Sequence, residues 1–207
     1  MTGLFATSAA SAQEVNNLRY DVISAGFASA SVKTRDGANS IEFDRFNGGY
    51  ITAEGLVAQR VFLGLTYSMG QSDNAKVNGR ALSPAFKTDL SQGAATVGYR
   101  FSISNGIDLI PLVTHYQTQS KGQEVGAAEE KSSSRTTGVG AQLRAAISPT
   151  LELHFSAERD DEKTNTFRAA GVYKFQARWG ARLGVSRGSG QNDFSNTKII
   201  LGMNYYY

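Results

Sequence analysis

The sequence predicts an all-β chain: a transmembrane antiparallel up-and-down β-barrel of about ten strands, with eight as the alternative count. Three observations carry this. The dominant hydrophobic period is two residues. Short and long connections alternate along the chain. Aromatic residues gather near the short connections, on the apolar parity of their strands.

The period is clearest at the end of the chain. Ile199, Leu201, Met203, Tyr205 and Tyr207 share one parity, while Lys198, Asn204 and Tyr206 share the other with Ile200 and Gly202. Such alternation marks a strand with one apolar and one more polar face. Going backward, Trp179, Leu183 and Val185 alternate with Gly180, Arg182 and Ser186. Phe167, Tyr173 and Phe175 alternate with Arg168 and Lys174, and Leu151, Leu153 and Phe155 with Glu152, His154, Ser156 and Glu158. Val139 and Leu143 alternate with Gly140, Gln142 and Arg144, Val97, Tyr99 and Phe101 with Gly98 and Arg100, and Leu63, Leu65 and Tyr67 with Gly64 and Thr66. The strands fall near 19–33, 41–52, 57–71, 91–103, 107–120, 133–147, 151–160, 165–175, 179–189 and 197–207. Parity is open in 20–33, 41–52 and 107–116.

The connections divide into two kinds. Thr52–Leu56, Ser104–Gly106, Ser148–Thr150 and Gln176–Arg178 are short, and Asn-Gly and Ser-Pro among them are turn dipeptides. Thr34–Ser40, Ser72–Leu90, Lys121–Ser132, Asp160–Thr164 and Gly188–Asn196 are longer and polar. Their strict alternation is the rhythm of a barrel with short periplasmic turns and longer extracellular loops, and an even strand count puts both termini on the periplasmic side.

Composition agrees. In 207 residues there are only three prolines, which suits paired strands, and no cysteine, which rules out a disulfide framework or a thiolate metal site. Mean hydropathy is −0.29, and no stretch approaches the roughly 20 apolar residues of a spanning helix. A barrel avoids that requirement because only alternate residues face lipid. The net charge is +3 with Lys and Arg scattered singly, which argues against nucleic-acid binding. Residues 1–12 end in Ala10-Ser11-Ala12, a small-residue cleavage pattern, and read as the remnant of a signal peptide. The barrel domain is then 13–207, exported to the bacterial outer membrane.

The face carrying the polar set decides between a soluble barrel, apolar inside, and a membrane barrel, apolar outside. Tyr99, Phe101, Tyr173, Phe175, Trp179 and Tyr205 all lie beside short turns on the apolar parity, as an aromatic girdle at one membrane interface would. The polar parity is thereby assigned to the lumen, with Arg100, Arg144, Glu152, Glu158, Arg168, Lys174 and Arg182 as candidate lumen charges. The five cations there have Glu152 and Glu158 as prospective partners. Their pairing would either plug the lumen or line a narrow anion-preferring path.

Leu201, Met203, Tyr205 and Tyr207 resemble the C-terminal signal by which outer-membrane barrels are recognised by the barrel assembly machinery. More widely, Gly48-Gly49-Tyr50 with Val61–Ser68, Val97–Arg100 through Gly106–Leu109, Gly138–Ala141 through Leu151–Leu153, and Ala170–Lys174 through Trp179-Gly180 resemble successive hairpins of small porin-like outer-membrane β-barrel-domain proteins. That resemblance implies a Gram-negative cell-envelope protein without catalytic residues, cofactor or metal. It also implies outer-membrane lipids and lipopolysaccharide as surroundings, and small solutes as possible cargo.

Two short patterns resemble those of barrel enzymes. Asp160-Asp161 sits where outer-membrane aspartyl proteases keep their acids, but neither His115 nor His154 makes an Asp-x-His pair. His154-Phe155-Ser156 resembles the His-x-Ser of a lipid A deacylase, yet its parity faces the lumen and not the lipid. The expected function is therefore a non-enzymatic structural barrel or narrow passive pore. The alternative is a surface-interaction barrel acting through Ser72–Leu90 and Lys121–Ser132, and a weaker third is a lipid-modifying enzyme.

Overall fold

A strand that carries apolar side chains on one face and polar ones on the other can satisfy its backbone only by pairing on both edges, and the chain does this by closing on itself. The computed structural model describes residues 18–73, 75–81, 86–124, 130–191 and 193–207. The residues read as a signal-peptide remnant lie outside this set. The strands in chain order are β1 (Val22–Asp36), β2 (Asn39–Val57), β3 (Val61–Ser72), β4 (Ala75–Val77), β5 (Arg80–Ala81), β6 (Phe86–Tyr99), β7 (Phe101–Ser104), β8 (Ile107–Glu124), β9 (Glu130–Ala146), β10 (Leu151–Asp160), β11 (Asn165–Lys174), β12 (Trp179–Ser189) and β13 (Ser195–Tyr206).

These strands form one closed antiparallel barrel of ten staves. β6 and β7 are one stave on β8, interrupted at Arg100 without a change of register: Gly98 faces Leu112 and Phe101 faces Leu109. β4 and β5 form a small hairpin laid on the outer half of β2. The seam is β1 against β13, running from Val22↔Tyr206 to Lys33↔Ser195, while the other edge of β1 pairs with β2. Both ends of the described chain, Leu18 and Tyr207, lie at the end with the short turns.

The barrel is inverted relative to a soluble one. Leu65, Leu183 and Leu201 point outward, and Leu201 is 61% exposed. Ser24, Asp108, Arg144, Glu152 and Asn204 point inward, and Arg144 is 1% exposed. No soluble fold gains from exposing its leucines while enclosing its charges, whereas hydrocarbon outside and water or ion pairs inside make this arrangement favourable. At the short-turn end the outward aromatics pack in pairs. Tyr99 meets Phe101 at 4.9 Å between ring centroids, and Trp179 meets Tyr205 at 5.0 Å. Arg60 donates to the Tyr99 hydroxyl at 3.2 Å and Arg178 to that of Tyr205 at 3.5 Å. Apolar rings with cations just beyond them suit a membrane–water boundary.

Three predicted connections are corrected. Thr34–Ser40 is no long loop, because the β1–β2 ladder continues to Asp36↔Asn39 and closes in a tight turn with Gly37 at φ +57°. Thr52–Leu56 is no turn: it lies inside β2, and the reversal comes at Ala58 and Gln59, both left-handed at φ 51° and 64°. Ala-Glu-Gly resembles a turn and Ala-Gln-Arg does not, so composition pointed a few residues upstream. The predicted loop Lys121–Ser132 is shorter than expected, since β8 and β9 stay paired to Gly122↔Glu130. At 18 and 17 residues these strands exceed the roughly 9–11 residues that cross a bilayer, so their outer halves stand above it.

The seam depends on a close approach. A Cβ on Gly26 would lie 2.1 Å from the backbone oxygen of Leu201, whereas one on Gly93 meets nothing within 4 Å. Gly26→Ala is expected to destabilise the barrel by about 1–3 kcal/mol and Gly93→Ala to leave it nearly unchanged. Urea titration scored by the gel shift between folded and boiled barrel checks this; equal midpoints for the two variants would contradict it.

Candidate functional site

The inward parity builds two charged layers across the lumen. Near the short turns, Arg144 on β9 is the centre. Its Nε and one terminal nitrogen donate to Glu152 Oε1 at 2.9 and 2.5 Å, and the same terminal nitrogen reaches the Arg19 carbonyl at 2.6 Å. Its other terminal nitrogen is 3.6 Å from Glu54. Glu152 also holds Lys174 at 3.0 Å and accepts from His154 Nε2 at 2.7 Å. Arg182 lies 3.7 Å from Glu54, and Arg100 donates to Asp108 at 2.6 Å.

Residues 18–20 complete this layer. Leu18, Arg19 and Tyr20 enter the barrel from the short-turn end, and Leu18 and Tyr20 pack on Phe62 and Ile110. The Tyr20 hydroxyl donates to Asp108 at 2.6 Å. Arg144 stacks over the Tyr20 ring at 4.0 Å and Arg100 stands 5.2 Å from it. A ring beside two guanidinium groups and tied to a carboxylate plugs the lumen within a layer of ion pairs.

The second layer lies higher. Glu158 accepts from Tyr116 at 2.5 Å and from Thr114 at 3.2 Å. Arg168 donates to Tyr116 at 2.8 Å and is 3.5 Å from Glu158. Lys198 donates to Ser68 at 3.4 Å. Between the layers is a chamber of about 230 Å³, walled by Thr52, Thr66, Thr96, Gln142 and Ser156. Above the second layer a vestibule of about 610 Å³ opens toward the long loops, lined by Thr118, Ser134, Thr136, Asp160 and Asn196 among others. Gln92, Tyr116, Glu158, Arg168, Ser186 and Lys198 border both spaces.

All seven lumen charges named from sequence, Arg100, Arg144, Glu152, Glu158, Arg168, Lys174 and Arg182, face inward here. Their partners differ in part from the expectation. Arg144 and Lys174 meet Glu152 and Arg168 meets Glu158, but Arg100 pairs with Asp108 and Arg182 with Glu54. Asp108 and Glu54 were missed because one sits in a stretch apolar on both parities and the other in a misplaced turn. Tyr20, Tyr116, Lys198 and Asn204 were also not singled out. Tyr20 had no local signal, since its partner is 88 residues away.

The enzyme patterns find no support in this geometry. His154 is buried in the plug against Glu152, and Ser156 lines the chamber, so no hydroxyl–imidazole pair is formed on the lipid side. Asp160 caps its own loop through Thr164 N at 2.7 Å, while His115 faces outward and pairs with Thr137 at 3.2 Å. Among the described residues no group of three His, Asp or Glu could hold a metal ion.

Removing one member of a buried ion pair leaves the other uncompensated. Arg144→Met is therefore expected to cost about 3–5 kcal/mol. Arg168→Met, at a half-open pair, should cost no more than about 1 kcal/mol. Equal losses in equilibrium unfolding from detergent micelles would contradict the assignment of Arg144 as the centre.

No curated protein matches the chain in sequence. Solved structures do match in fold. The translocator domain of autotransporter NalP from Neisseria meningitidis is 11% identical, with 90% of this chain and 88% of that one covered and a TM-score of 0.56. The transport unit of the autotransporter AIDA-I from Escherichia coli is 9% identical, with 93% and 92% covered and a TM-score of 0.54. The outer membrane protease OmpT from Escherichia coli is 8% identical, with 92% and 99% covered and a TM-score of 0.50. Autotransporter translocator units and a protease thus share this architecture, and the likeness is one of fold alone. In sequence, residues 63–175 match one family across more than half of the chain, and the chain belongs to that family, described as "Putative MetA-pathway of phenol degradation".

Proposed function

We propose that the chain is a non-enzymatic, porin-like barrel of the bacterial outer membrane: a narrow passage for small solutes, held shut at its short-turn end by its own N-terminal segment. One observation carries the reading. The vestibule and the chamber share a border of six residues, while the route below the chamber is filled by Tyr20 and the ion pairs around it. Ten strands enclose little room, and a chamber of about 230 Å³ is smaller than the pockets that hold drug-sized ligands. The family's description names phenol degradation, and a small hydroxylated ring suits a chamber walled by threonine hydroxyls. At the border, Lys198 has no carboxylate partner among the described residues and Arg168 is held only loosely by Glu158, which favours anionic over cationic solutes.

The remaining parts of the proposal follow the same physics. The residues before Gln13 act as an export signal. The outward alternation of Leu201, Met203, Tyr205 and Tyr207 on the closing strand is what the assembly machinery reads, and outer-membrane lipids and lipopolysaccharide surround the apolar band. A second reading, contact with other surfaces, is favoured by the paired outer halves of β8 and β9 and by the β4–β5 hairpin, which stand clear of the bilayer.

Planar-bilayer recording tests the passage. The wild type is expected to show small, brief conductance steps, Tyr20→Ala larger and longer ones, and Lys198→Glu a shift of reversal potential toward cations. Silence from both the wild type and Tyr20→Ala at every voltage would overturn the passage.

A further inference from the structure

The outer wall is not uniformly bulky. On β9 to β12 two adjacent outward rows mix large and small side chains, with alanines beside phenylalanines. One row reads Ala141, Ala157, Phe167, Arg187, and the row below it Leu143, Phe155, Ala169, Val185. The alanines leave a trough of about 620 Å³ between Phe155 and Phe167, almost wholly apolar and open to the side. Its upper end is bordered by Arg187 and Thr197.

Arg187 is an outward cation on a surface otherwise built for hydrocarbon. It lies eight residues from the girdle residue Trp179. At about 3.3 Å per residue and a tilt of about 40° that places it roughly 20 Å above the girdle, near the upper edge of an apolar band about 25 Å tall. An outward arginine is tolerated there and not at mid-bilayer. Arg159, one row higher on β10, is outward as well, and neither arginine has an acidic partner among the described residues. A second depression on the opposite wall, about 440 Å³ and lined by Ile51, Leu65, Tyr67 and Ala95 among others, has no arginine or lysine in its lining.

An apolar trough capped at the outer-leaflet edge by unneutralised guanidinium groups matches one kind of molecule. We propose that this trough is a binding site for a phosphorylated acyl lipid of the outer leaflet: one acyl chain lies over Ala157 and Ala169, and a headgroup phosphate meets Arg187, with Arg159 in support. Arginine pairs with phosphate through parallel charge-assisted hydrogen bonds, which gives the site selectivity beyond the general lipid coat. The site is independent of whether the lumen conducts.

The test is native mass spectrometry of the full-length barrel in detergent, titrated with bisphosphorylated lipid A and, separately, with the same lipid stripped of phosphate. The wild type is expected to retain one lipid A and to bind the stripped lipid roughly tenfold more weakly. Arg187→Gln should lose most of that preference while binding the stripped lipid as the wild type does. Filling the trough with Ala157→Leu and Ala169→Leu should weaken both lipids, whereas Ala53→Leu and Ala95→Leu on the opposite wall should weaken neither. The heat-dependent gel shift confirms folding of each variant. If the filled variant does not fold, the wild-type and Arg187→Gln comparison decides alone. Equal binding of the two lipids by the wild type, undiminished binding to a folded filled variant, or a lipid-free dimer cross-linked through Phe155 and Phe167 would overturn the proposal, the last by giving the trough to a second copy of the chain.

Discussion

A peptide N–H or C=O left unpaired in hydrocarbon costs several kcal/mol, and every large feature of this protein follows from avoiding that cost. Ten staves pair edge to edge until β13 returns to β1, so that no open edge faces lipid. Closure fixes parity in turn. With alternate residues committed to the outside, leucine, phenylalanine and valine cover the wall, and whatever remains must fill the interior. The interior therefore takes threonines, glycines, charges and a small apolar patch around Ile110, and its charges must find partners there. Arg144, Arg182, Lys174 and Arg100 meet Glu152, Glu54 and Asp108 in one layer near the short turns.

The same constraint explains why some parts could be read from sequence. β10 and β12 were bounded to the residue, as 151–160 and 179–189, because a bulky apolar side chain at nearly every second position contrasts with Glu152, His154, Arg182 or Ser186 between them. β1 was less defined. Its outward Ala25 and Ser29 are small and its inward Ala28 is apolar, so hydropathy scarcely alternates. β8 was ambiguous for a different reason: Ile110 faces inward and is fully buried against the plug, so both parities of that strand are apolar near its start. A lumen that contains a patch of ordinary hydrophobic core breaks the rule on which parity is read.

The site was legible as a list and not as a set of pairs. Parity alone placed the seven lumen charges, because facing inward is a local property. Which carboxylate each cation meets depends on stagger around the barrel, and that depends on where the turns fall. Once the β2–β3 reversal moved from 52–56 to Ala58–Arg60, Glu54 became an inward residue beside Arg182 and Arg144. The entry of Leu18–Tyr20 into the lumen is a tertiary fact with no periodic signature. Function is legible to a similar depth. The fold is shared by autotransporter translocator units and by a protease, so architecture alone names no activity.

The account rests on lipid covering the apolar parity and water or ion pairs the other. The chain has no cysteine, so single cysteines can be placed along β12 without interference. In vesicles containing brominated lipid, an environment-sensitive fluorophore at positions 183 and 185 should be strongly quenched, and one at 182 and 186 should be spared and report a polar surrounding. Quenching that fails to alternate, or that marks 182 and 186 instead, would contradict an inside-out barrel.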